Sequence, residues 1–236
     1  MFVGHFAVAL AAKRVTPRLS LPLLFGAVQL LDILWPLFMV LGVEHARIVP
    51  GLMAGSPLDL YDIPYSHSLV MSLVWSLLVA APFVVMKRAR EAAVLAVCVF
   101  SHFILDLITH RPDLPLAPGS NVKFGLGLWN FPAAEVAVEA AIFLAGIVVY
   151  LRATTARKRI GDPSSNNSNS NSNSKMGTIG FAVFMLVLGA VWLAGMFGPP
   201  PHDVKMVVWS ILLSMPFILL WAYAIDRARS VNIPAM

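Results

Sequence analysis

Charge is what this sequence lacks most. Only 12% of its 236 residues are Asp, Glu, Lys or Arg, about half the roughly 25% of a soluble domain. That leaves too little polar surface to keep a globule of this size in water. Cysteine is nearly absent as well: Cys98 stands alone, which excludes a disulfide scaffold. What the chain has in excess is hydrophobicity, at 58% of residues and a mean hydropathy of +0.79. This excludes intrinsic disorder, and several apolar runs approach the roughly 20 residues needed to cross a bilayer. The expected fold is all-α: a polytopic transmembrane helix bundle of about six spanning helices plus a short N-terminal half-helix.

Segment 1 (2–12) is apolar but too short to span alone, and reads as a half-helix or re-entrant piece. Segments 2 (19–43), 3 (68–86), 4 (91–110) and 5 (132–151) follow. Next comes RATTARKRIGDPSSNNSNSNSNSK, a basic stub and a Ser/Asn tract with no apolar residue to bury. Its composition is that of a disordered linker. Segments 6 (178–197) and 7 (204–225) are joined by the short turn GPPPHD, so they form an antiparallel hairpin. The expected organisation is a bundle over 1–151, a linker over 152–176 and a hairpin over 177–236.

The basic residues orient the chain. Thirteen of the 17 lie before segment 2, between 3 and 4, between 5 and 6, or after 7. The other four, Arg47, Arg111, Lys123 and Lys205, lie in the alternate loops. Under the positive-inside bias, the linker and the C-terminus are cytoplasmic. The net charge of +5 then reflects topology. Membrane lipid is the expected partner, and nucleic acid is not. The two loops on the opposite side mix Pro, Gly, Asp and aromatic residues, which predicts ordered turns.

Polar groups stand where lipid makes them costly. A charge at the bilayer centre costs roughly 2.5–3.5 kcal/mol on insertion scales, yet His5, Asp32, His102, Asp106, Glu135 and Glu139 fall within apolar segments. In SHFILDLITH, His102, Asp106 and His110 are spaced four apart, so they share one helix face. Two adjacent members at that spacing can bind one ion; the bland alternative is a hydrogen-bonded polar seam. The third, His110, is expected at the rim. His67 lies in PYSHSL, where Ser66 or Ser68 can cap segment 3, and the topology lets it meet His102 and Asp106 in the outer half of the membrane. Asp32 requires a cation or a histidine to stay ionised, and His5 is the natural fifth ligand. Glu135 and Glu139 share a face of segment 5; an interhelical hydrogen bond is the plainer role, more so for Glu135. Asp59, Asp62 and Asp113 are expected to form turns.

His and Asp ligands without thiolates suit Zn²⁺, Mn²⁺ or Fe²⁺. Zn²⁺ is the first choice, because it accepts mixed N/O ligands and lowers the pKa of bound water to about 7. Five candidate ligands exceed a closed four-coordinate site. Either a second ion binds or one of the five acts from outside.

Taken in order, four pieces resemble the metal-dependent hydrolases of bacterial inner membranes, the family of the LexA-regulated inner-membrane protein. They are GHFAVALA with Gly4 and His5, QLLDILWP with Asp32, YSHSL with His67, and FSHFILDLITHRPDLPL with His102 and Asp106. The resemblance covers roughly the first 150 residues and implies an inner-membrane hydrolase. Members of that family typically carry a second acidic residue beside the one matching Asp32. Here Ile33, Leu34 and Trp35 follow instead, which argues against a two-metal site. The hairpin looks like an extension found in part of the family.

The expected function is metal-dependent hydrolysis of a lipid-like or small-molecule ester, a phosphoester foremost, at the outer half of the bilayer. Glu139 or His110 would move the proton, and Arg111 and Lys123 are placed to meet an anionic head group. Two other classes remain open: a non-enzymatic metal-binding membrane protein, and a metal- or proton-coupled transporter using Asp32 and Glu139. Segments 2–4 and 5–7 share no polar pattern of the kind an inverted repeat would give.

Overall fold

The computed structural model describes residues 1–156 and 168–231. Four helical stretches are long and apolar enough to cross a bilayer: α5 (Ala89–Thr109), α6 (Pro132–Ala153), the Gly177–Phe197 part of α7 (Ser168–Phe197), and α8 (Val204–Ala228). The bent pair α2 (Leu21–Val28) and α3 (Leu30–Val40) makes a fifth. The expected sixth span is α4 (Leu69–Val85), an apolar helix of only 17 residues. The protein is an all-α integral membrane protein. Its polarity is inverted relative to a soluble fold: Leu186 and Phe217 are each 71% exposed, whereas His102 and Glu135 are fully buried. Lipid tolerates an apolar exterior and drives ionisable groups inward.

Segment 2 is not one straight span. Its two helices meet at Gln29 with a bend of 58°. The apolar run itself gives no sign of this break. A side chain from another helix enters the ladder there, which is a known cause of sharp kinks. The carbonyl of Val28 accepts a hydrogen bond from His102 Nδ1 at 2.6 Å. The break places Asp32 in the first turn of α3, where the positive end of the helix dipole favours a carboxylate.

Helix α1 (Val3–Val15) is the expected short piece, and it runs through the middle of the molecule. Val3, Phe6, Ala9 and Leu10 are fully buried. It packs on α6, α2 and α5. Close approach to α6 needs Gly146, because a Cβ there would lie 2.7 Å from both the Cα and the carbonyl oxygen of Ala7.

The hairpin of α7 and α8 is built into the same core. Phe184 stacks on Phe25 of α2 at 6.0 Å, and Phe181 on Tyr150 of α6 at 4.9 Å. Strand β6 (Arg229–Val231) pairs with β5 (Thr154–Ala156), and the Arg229 guanidinium lies over both the Tyr150 and Phe181 rings. At the same end, Lys13 of α1 pairs with Asp226 of α8 at 2.7 Å. Of the expected linker, 157–167 lies outside the described residues. Thr154–Ala156 is strand, and α7 begins at Ser168, within the Ser/Asn tract.

The two long loops at the opposite end are ordered, as expected. β1 (His45–Ile48) pairs with β2 (Leu58–Asp62), and β3 (Leu114–Pro115) with β4 (Lys123–Phe124). The loops also clasp each other. Gly55 N–H donates to the Trp129 carbonyl at 2.7 Å, Lys123 Nζ to that of Tyr61 at 2.9 Å, and Arg111 pairs with Asp59. They roof the end of the bundle where the buried histidines lie.

Candidate metal centre

Four elements converge beneath this roof. Helix α5 supplies His102 and Asp106 and ends at His110; α3 supplies Asp32; α1 supplies His5; and His67 precedes α4. His102 and Asp106 are one turn apart on α5, with His102 Nε2 3.1 Å from Asp106 Oδ2. His67 Nε2 lies 3.7 Å from the same oxygen and His110 Nε2 lies 3.8 Å from it. Asp32 Oδ1 is 3.6 Å from Nε2 of both His67 and His102. Three histidine Nε2 atoms therefore approach one oxygen of Asp106, and two of them also approach Asp32 Oδ1.

The other nitrogen of each of these three rings is tied down. His102 Nδ1 bonds the Val28 carbonyl, which can only accept, so Nδ1 carries a proton and, in the neutral ring, Nε2 holds the lone pair. His67 Nδ1 lies 2.8 Å from Ser66 Oγ, and that hydroxyl donates to Glu44 Oε2 at 2.6 Å. The hydroxyl proton is thus committed to Glu44, and Ser66 Oγ accepts from His67. His110 Nδ1 is 3.0 Å from Asp113 Oδ1. Outer partners that fix tautomer and ring orientation in this way accompany metal-ligating histidines.

His5 occupies the other side of Asp106. Its Nε2 lies 3.1 Å from Oδ1, and its ring stacks on His102 at 3.7 Å with 3° between the planes. The Met1 amino group also meets Oδ1, at 2.7 Å. Two groups of three have ligand atoms within 4.8 Å of one another: His5, His102 and Asp106, and Asp32, His67 and His102. They share His102.

The donor set fits a divalent cation. His102 Nε2 is buried without a hydrogen-bond partner, although a carboxylate oxygen is 3.1 Å away. Among the described residues, no Lys or Arg pairs with Asp32 or Asp106, and the Met1 amino group meets Asp106 at Oδ1, not at the Oδ2 that the three histidines approach. With the rings neutral, their Nε2 lone pairs face two carboxylates, an arrangement that a cation between them would stabilise. Mixed imidazole and carboxylate ligands suit Zn²⁺ or Mn²⁺.

The interhelical bond expected more of Glu135 is made by Glu139. Its carboxylate accepts from the backbone N–H groups of Phe2 and of Gly4, the latter at 3.0 Å. It thereby caps the start of α1. Glu135 is fully buried, and neither of its oxygens has a hydrogen-bond partner. Arg111 is engaged within the protein as well. It pairs with Asp59 and, at 3.4 Å, with Asp113, so it braces the roof.

Three participants were not singled out from the sequence. Asp113 reads as a turn former, although its place three residues after His110 is a usable signal. Ser66 reads as a cap, but Ser68 takes that role by accepting from Met71 N–H at 3.3 Å. Glu44 lies 22 residues before Ser66, and no local pattern connects them.

A cavity of about 360 Å³ opens beside the centre. Asp32, His67, Asp106, His110, Glu135 and Glu139 line one part of it, and the loop-end residues of α7 and α8 line another. The chain matches no protein-family model, no curated protein and no solved structure. Geometry alone therefore carries the reading of this centre.

Proposed function

We propose that this protein is a membrane-embedded, metal-dependent hydrolase of a lipid-like ester, with Zn²⁺ as the first choice of ion. The observation that carries the reading is the common orientation of three histidines. His67, His102 and His110 each hold Nδ1 on a fixed partner and present Nε2 to Asp106, while Asp32 closes the set. His67, His102, Asp106 and Asp32 would hold the ion, with His5 as a further ligand from the far side of Asp106. Bound there, the ion would supply Lewis-acid polarisation of the ester oxygen.

The remaining work falls to the chain. His110 lines the cavity, and its Asp113 bond leaves Nε2 as the basic nitrogen. It takes a proton from water as the water oxygen bonds to the acyl or phosphoryl centre. It returns that proton to the leaving oxygen as the ester bond breaks, giving an acid and an alcohol. Glu139 is occupied by two backbone donors, which favours His110 over Glu139 for this transfer.

The distribution of basic residues supports a cytoplasmic C-terminus and a centre near the outer face. The resemblance over the first 150 or so residues supports a bacterial inner membrane. Elemental analysis of the purified protein beside an Asp106→Ala variant tests the proposal. Stoichiometric metal in the wild type and its loss in the variant are expected. A wild type without metal, or a variant that retains it fully, would overturn the site.

A further inference from the structure

The cavity is lined unequally. Toward the metal centre its walls are carboxylates and imidazoles. Toward the hairpin they are Trp192, Met196, Val207 and Ile211, with Trp35 facing from α3. Val191 and Gly195 line the cavity and are themselves exposed on the part of α7 that spans the bilayer. The apolar wall therefore includes residues that also face the outside of the bundle. A Cβ built on Gly195 meets nothing within 4 Å, so a larger side chain there has open space to fill.

We infer that the α7–α8 hairpin forms an acyl-chain subsite: it receives the hydrocarbon tail of a membrane lipid ester while the head group lies at the His–Asp centre. The inference rests on the hydrolase reading for its substrate, but the tail site itself needs no metal. Three features support it. The subsite is continuous with the centre, it is apolar where the centre is polar, and two of its wall residues are exposed on a helix long and apolar enough to span the bilayer. Gly195 of α7 and Ile211 of α8 both line it. A water-soluble ester would leave those apolar walls uncovered.

The test uses the full-length protein in phosphatidylglycerol nanodiscs with a lysophosphatidylglycerol carrying a diazirine near its chain end. Labelling is mapped by peptide mass spectrometry. Saturable labelling is expected at Met196 and Ile211, competed by unlabelled lysolipid, above that at the outward-facing Leu186 and Phe217. Gly195→Trp should lower labelling at Met196 and Ile211 by about tenfold, the effect of displacing roughly two methylenes. Labelling at Leu186 and Phe217 should not change. Gly195→Leu, a smaller intrusion, should give an intermediate loss, and it serves as the readout if the Trp variant fails to fold. Asp106→Asn should keep the labelling while losing metal, so a failed hydrolase reading is distinguishable from a failed tail site. Non-saturable labelling at Met196 and Ile211, or labelling indifferent to both Gly195 substitutions, would overturn the inference.

Discussion

At the scale of single residues, the centre depends on atoms that never touch an ion. Ser66 Oγ accepts from His67 Nδ1 and donates to Glu44, whose other oxygen accepts from the backbone N–H groups of Tyr65 and Ser66 at 2.8 Å each. Ser66→Ala leaves His67 Nδ1 and a buried carboxylate oxygen unpaired, so the ring loses its fixed tautomer. Losing such an outer partner typically costs 10–100-fold in metal affinity. A chelator-competition titration should show about that loss for Ser66→Ala, with substantial recovery in Ser66→Thr, which keeps the hydroxyl. Equal affinities for wild type and Ser66→Ala would remove Ser66 from the centre. The inner residues were legible because a His or Asp in an apolar run is conspicuous against its neighbours. The outer ones were not, because a serine beside a histidine and a glutamate in a loop are ordinary there. What distinguishes them is a through-space hydrogen bond between distant segments.

At the scale of elements, the half-helix and the broken span bring the ligands together. α1 contributes His5 only because it reaches the middle of the bundle, and α6 lets it do so at Gly146. Even one methyl at that position meets backbone atoms of Ala7 at 2.7 Å, and backbone cannot rotate away. Overpacking of this kind costs about 1–3 kcal/mol. Gly146→Ala should therefore lower the melting temperature of the purified protein, and it should lower metal occupancy too, since a displaced α1 moves His5. Gly189, whose added Cβ meets nothing within 4 Å, provides the control: Gly189→Ala should change neither. A Gly146→Ala protein as stable as wild type would contradict the tight α1–α6 contact. Hydropathy located nearly every helix, because an apolar run of sufficient length has no other comfortable conformation in lipid. The bend at Gln29 was invisible to it. Its physical cause, His102 bonding the Val28 carbonyl, joins positions 74 residues apart.

At the scale of the whole molecule, two kinds of charge are separated along the bundle. The His–Asp centre lies where α5 ends and α6 begins, under the loop roof. The Lys13–Asp226 and Arg229–Thr154 contacts lie at the other end, where α1, α6 and α8 finish. The proposed orientation, with the basic end in the cytoplasm, rests on the loop bias and would make the roof extracytoplasmic. The chain's scarcity of cysteine makes this orientation measurable, because Cys98 is buried and is the only thiol. Asn121→Cys, exposed in the roof, should react in intact cells with a membrane-impermeant maleimide. Ala89→Cys, exposed at the start of α5, should react only after the membrane is opened. The reverse pattern would invert the protein, moving the centre and its tail site to the inner leaflet. The proposed metal ligands would keep their geometry, but the lipids within their reach would then be those of the cytoplasmic face.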